Sequence, residues 1–312
     1  MQSVWRVVHL ERWPLSTKIR CSLVYFLYTY IGSSLRELHI VYMDNCILKY
    51  LKASCPNLRL LALHASDYRF CNFALLPSSL TSLLINHDGV DSEWCYPYNW
   101  YTSFTHDHFP YLERLTIEQA PDANPAITQI ATLKTIRKLE LWSLRKGLSS
   151  SAFTALMGMT NLECLWLTKV DKLPANFAKE IVRNLRTLKQ LSLIELDHIL
   201  RGSHVKMLAQ LPQLDTLMLC STSERGVMEA LLEVIPSMPR LKRVEFDDDN
   251  YHDYLIDMSS PKDFTDILAD LMKCRPDVSF HFRGLECDGN LDYLRTKFDM
   301  FENNIDVHHD DE

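Results

Sequence analysis

The chain has 312 residues, 47% of them hydrophobic and 23% charged, with a formal net charge of −7. That is enough apolar material for a large core, built either as two ordinary domains or as one elongated array. The negative balance argues against non-specific nucleic-acid binding, which needs clustered Lys and Arg, and gives no attraction to an anionic membrane surface.

The N-terminus, MQSVWRVVHLER, carries Arg6, Glu11 and Arg12 where a signal peptide needs an uninterrupted apolar centre. The uncharged stretch Cys21–Leu35 is shorter than the roughly 20 apolar residues of a membrane span. Nine cysteines occur without a C-x-x-C pair, and there is no Asn-x-Ser/Thr site. A reducing compartment, cytosol or nucleus, is therefore expected, with no membrane association.

Residues 5–10 (WRVVHL) read as a first strand. A helix follows, with Ile19, Leu23, Phe26, Leu27 and Tyr30 at helical spacing, Ser16 as its cap and Gly32 at its end. From residue 35 a motif recurs: LRELHI, LRLLAL, LTSLLI, LERLTI, IRKLEL, LECLWL, LKQLSL, LDTLML and LKRVEF, with VSFHF (278–282) as a worn last copy. Its middle anchors, Leu38, Leu61, Leu83, Leu115, Leu139, Leu165, Leu191, Leu217 and Val244, lie 22 to 27 residues apart, except for 32 between Leu83 and Leu115. That is the period of a leucine-rich repeat. Amphipathic helices are expected between strands, for example over Phe177, Ile181 and Leu185, and over Phe264, Ile267, Leu268 and Leu271.

Each unit of strand, turn and helix buries its apolar face only by stacking on its neighbours. The predicted fold is thus an α/β leucine-rich-repeat solenoid, curved, with a parallel inner sheet and outer helices. Residues 1–13 form a junction and first strand, 14–285 the array, and 286–312 an acidic tail, disordered at its end. Three residues past the last anchor the usual repeat has Asn or Cys; here the slot holds Met43, Ser66, Asp88, Ala120, Leu144, Val170, Leu196 and Thr222. The repeats are degenerate, held by apolar packing more than by side-chain hydrogen bonds.

Strand alternation puts the residues between anchors on the open concave face. Trp142, Trp166, Ile194 and Met218 then form an apolar patch, with Arg114, Lys138, Glu140, Arg243, Glu245 and Asp247 around it. This is the composition of a protein-binding surface, since Trp is enriched among interface hot spots. The acidic run Glu245, Asp247, Asp248, Asp249, Asp253 and Asp257 is a second place for a basic partner segment. The insertion 87–109 is rich in aromatics and holds His106-x-His108, but no spacing there matches a known metal site. No metal or cofactor is expected. Nucleophile-elbow, zincin, dinucleotide and P-loop motifs are all missing, so the chain is not expected to be an enzyme.

VWRVVHLERW (4–13), SSLRELHI (33–40) and KASCPNLRLLALHASD (52–67), with its Cys55-Pro56-Asn57-Leu58 turn, resemble the junction and early repeats of F-box/leucine-rich-repeat proteins. So do LPSSLTSLLIN (76–86) and FPYLERLTIEQAP (109–121), and the likeness extends over most of residues 4–250. The resemblance implies a substrate-recognition subunit of an SCF-type ubiquitin ligase, whose F-box binds the Skp adaptor and through it a cullin, while the repeats hold the protein to be ubiquitylated. Only a few residues precede Trp5, so the chain is expected to keep the junction without the box. The alternative is a free-standing interaction or inhibitor module on the same repeats, which binds a partner without promoting its degradation.

Overall fold

The computed structural model describes residues 6–10, 32–40, 45–64, 72–87, 100–120, 122–144, 146–196, 200–220, 225–247, 270, 272–283 and 305–308. The predicted helices around Ile19–Tyr30 and Phe264–Leu271, residues 88–99 of the insertion, the acidic run beyond Asp247 and the last four residues lie outside them. The chain divides into two compact units, Met1–Leu162 with Val170–Leu173, and Glu163–Lys169 with Pro174–Glu312.

The first unit contains strands β1 (Val7–Leu10), β2 (Glu37–Ile40), β3 (Leu60–His64), β4 (Ser82–Asn86), β5 (Arg114–Glu118) and β6 (Lys138–Leu144). Each pairs in parallel with the next in chain order. Leu38, Leu61, Leu83, Leu115 and Leu139 are in register with one another and fully buried or nearly so. A parallel pair cannot be joined by a tight hairpin, and the described connections cross to a second layer. In that layer lie α1 (Asn45–Ser54), short 3-10 turns at Phe73–Leu75 and Trp100–Ser103, α2 (Asn124–Ile130) and α3 (Ser150–Met157). Neighbours in this layer pack in chain order.

The second unit repeats the plan with β7 (Cys164–Val170), β8 (Gln190–Ile194), β9 (Thr216–Cys220), β10 (Arg243–Asp247), β11 (Ser279–Arg283) and β12 (Ile305–His308), again parallel in chain order. Its helices are α4 (Phe177–Asn184), α5 (Gly202–Leu208) and α6 (Arg225–Val234). The segment read from sequence as a tail therefore supplies a strand, β12.

One junction recurs ahead of the strands. The carbonyl of Arg36 accepts the amides of both Arg59 and Leu60, at 2.8 and 3.0 Å; Arg59 does the same for Thr81 and Ser82, and Thr81 for Glu113 and Arg114. In the second unit the carbonyls of Glu163, Lys189 and Asp215 each take two successive amides of the following copy. A turn precedes this junction, with Leu58, Leu80, Leu112 and Val278 donating to the carbonyl three residues back. Pro56, Pro110 and Pro276 occupy the second turn position, where a fixed φ near −65° is already correct. Arg275 braces the late copies: its guanidinium donates to the carbonyls of Ile235, Met238 and Leu241 and pairs with Asp277 at 2.7 Å.

The core lies between sheet and outer layer. Three of its largest residues, Phe73, Phe104 and Phe109, have no exposed surface, with rings 6.2 and 5.1 Å apart in succession. Phe104 and Phe109 belong to the long insertion. Its second half thus fills core space through a 3-10 turn, as the copy before it does at Phe73–Leu75, where most other copies use a helix.

Gln119, Ser143, Lys169 and Glu195 all have left-handed backbones, φ between 52 and 55°. Each stands four residues past a middle anchor. Strict alternation would turn this residue inward; the left-handed step reverses the parity and turns the next one in. Ala120, Leu144, Val170 and Leu196 are accordingly buried, at 2, 1, 1 and 1% exposure. These are the slots where side-chain hydrogen bonding had been given up for apolar packing, and the structure shows that packing. A left-handed non-glycine residue costs about 1–2 kcal/mol. Ser143→Gly should therefore gain up to about 1 kcal/mol in urea unfolding, whereas Ser143→Val should lose about 1–2 kcal/mol. Equal stabilities would show that the parity switch carries no strain.

Candidate functional site

The outward positions of the first unit form rows set by register. One row runs His39, Ala62, Leu84, Thr116, Glu140; another runs His64, Asn86, Glu118, Trp142; a third includes Leu60, Ser82, Arg114 and Lys138. Apart from buried Ala62, these residues keep solvent access, and the Trp142 indole is half-buried. Glu140 is held on both oxygens, by the Thr116 hydroxyl at 2.7 Å and the Lys138 ammonium at 2.6 Å. Arg114 is exposed beside Lys138. Four of the sequence-predicted residues, Arg114, Lys138, Glu140 and Trp142, are therefore gathered on one partly accessible face, with the acid fixed in place rather than free to swing.

In the second unit the expectation of an open face does not hold for three residues. Ile194, Met218 and Glu245 do lie between anchors, but they are 4, 3 and 4% exposed. Ser192, in register between Trp166 and Met218, has no exposure at all, and Thr168, the partner of Ile194, has 4%. Alternation fixes the direction of a side chain and says nothing of what closes over it. At a strand spacing of about 4.8 Å, a serine flanked by an indole and a methionine sits below both. Trp166 stays half-buried and Arg243 half-exposed. Glu245 is turned to Arg243, 2.5 Å from its Nε, so it is not an open acidic contact. Asp247 ends β10, in register with Cys220 and Arg283.

The hydroxyls of Ser192 and Thr168 have no hydrogen-bond partner among the described residues. A buried hydroxyl left unpaired costs about 1–3 kcal/mol. Ser192→Ala should consequently leave stability unchanged or raise it; a loss above about 1 kcal/mol would mean that the hydroxyl is bonded.

Among the insertion's metal-capable residues, His106 is exposed, and His108 Nδ1 lies 2.8 Å from the Thr105 hydroxyl. They join no cluster of three ligands among the described residues. His87 behaves differently: burial lowers its pKa to about 4. The unfolded chain, titrating near about 6.5, then binds the proton that the folded chain refuses. Stability from neutral His87 is complete above that value and falls as pH drops toward about 4, by up to about 3 kcal/mol. His87→Leu should flatten this part of the urea-midpoint profile against pH; an unaltered profile would assign the acid sensitivity elsewhere.

Sequence reasoning did not connect three histidines. His9, His39 and His64 occupy outward slots of successive strands and stack, with ring centroids 4.2 and 6.0 Å apart. Their shared strand slots were the readable signal. Compared with known proteins, the chain matches no family model and no curated protein.

Proposed function

We propose that the chain is a degenerate leucine-rich-repeat receptor that holds a protein partner on its sheet face and presents it to an SCF-type ubiquitin ligase. Transfer chemistry then belongs to partner subunits, and this chain contributes proximity. One observation carries the binding half: a half-buried Trp142 ends a row of accessible polar residues, with Arg114, Lys138 and a doubly fastened Glu140 alongside. A rigid aromatic anchor among preset polar groups is the usual make-up of an interface hot spot. The identical two-amide junction of successive copies supports the repeat reading, because it keeps outward residues aligned from strand to strand. The ligase half rests on the likeness of most of residues 4–250 to F-box/leucine-rich-repeat proteins. The address that follows is cytosol or nucleus, with the Skp adaptor and cullin as further partners.

The test is affinity purification of the tagged full chain from its own cells, beside Trp142→Ala and Trp166→Ala versions. Skp adaptor and cullin should co-purify with all three. A protein partner should be weakened about 30-fold or more by Trp142→Ala, with no change in thermal midpoint. If partners remain but adaptor and cullin are absent, the ligase half fails and a free-standing interaction module stands in its place. Capture insensitive to both substitutions would place the interface elsewhere.

A further inference from the structure

The stacked histidines at the start of the first unit adjoin a carboxylate. His9 and His39 are direct register partners on β1 and β2, and Glu37, two residues before His39, lies on the same face. The ligand atoms of His9, Glu37 and His39 all fall within 4.8 Å of one another. His39 Nε2 and Glu37 Oε1 are 2.8 Å apart. His9 is exposed, while Glu37 and His39 are half-buried, so the group is reachable from solvent.

We propose that His9, Glu37 and His39 form a site for a borderline divalent transition-metal ion, zinc foremost. Donor chemistry selects the ion. Two imidazoles and one carboxylate suit zinc, nickel or copper, whereas magnesium and calcium want more ligands and oxygen alone. Zinc bonds nitrogen and carboxylate oxygen at about 2.0–2.2 Å, so ligand atoms around a tetrahedral ion lie about 3.4 Å apart. One donor pair is 2.8 Å apart and all three lie within 4.8 Å, so small side-chain rotations reach that spacing. The Glu37 and His39 ligand atoms, 2.8 Å apart, would open by about half an ångström to admit the ion. Rotation of the exposed His9 ring supplies the third bond. A fourth position is left for water.

Register explains why the site falls here. Cross-strand partners project from one face about 4.8 Å apart, and residues i and i+2 of one strand share that face. A bound ion would also fasten β1, the first strand of the sheet, to β2. The inference is independent of partner binding and of any ligase role.

The experiment is calorimetric titration of the chelator-stripped full chain with Zn²⁺, with Mg²⁺ as control, followed by Co²⁺ absorption to read coordination. His9→Ala, His39→Ala and the conservative Glu37→Gln are run beside the wild type, with circular dichroism to check folding. One equivalent of Zn²⁺ and no Mg²⁺ should bind, each substitution should weaken Zn²⁺ about tenfold or more, and amide exchange in Val7–Leu10 should slow with metal. Absence of Zn²⁺ binding would overturn the assignment. So would binding that all three folded variants retain, because His308-His309 or His106-x-His108 would then be the source.

Discussion

A single backbone carbonyl ahead of a strand, accepting two successive amides from the next copy as at Arg36, Arg59, Thr81, Glu163, Lys189 and Asp215, is the constraint on which the rest of both units depends. A strand moved by one residue would break both bonds and turn every leucine anchor outward. With that slip closed off, the anchors stack into the core and the residues between them fall into rows. The Trp142 row, the Thr116–Glu140–Lys138 contacts and the His9–His39 pair all follow from this register rather than from any local sequence motif.

The anchors themselves were legible. Leucine at fixed offsets and a period of 22 to 27 residues, with one step of 32, predicted parallel strands with helices in a second layer, and the strands β2 to β11 lie where the motif puts them. Other features could not be read so directly. Nothing about Gln119, Ser143, Lys169 or Glu195 announces a left-handed backbone, because glycine or asparagine would be the usual signal and none is present. Alternation led to open positions for Ile194, Met218 and Glu245, which are buried, since cover comes from neighbours that pattern alone does not specify. The histidine cluster lay between these cases: each residue's slot could be read, but their meeting required the register of β1 on β2.

The outer layer shows how loosely the same constraint binds the other side. Helices, a single 3-10 turn at Phe73–Leu75 and the long aromatic insertion all serve as crossovers. Phe104 and Phe109 fill, with two rings, volume that a helix would otherwise occupy with several aliphatic residues. Variation is tolerated there because the crossover must only span and seal, whereas the strand must keep step.

The side-by-side strand order has a mechanical consequence. Among the described residues of either unit a strand pairs only with the strands before and after it, so tension drawn through the chain would load one pair of strands at a time. Such an assembly yields by peeling, copy by copy at low force, instead of resisting as a block in shear. The Arg275 guanidinium, tied to three carbonyls of the preceding copy, is placed to act as a stop against that peeling.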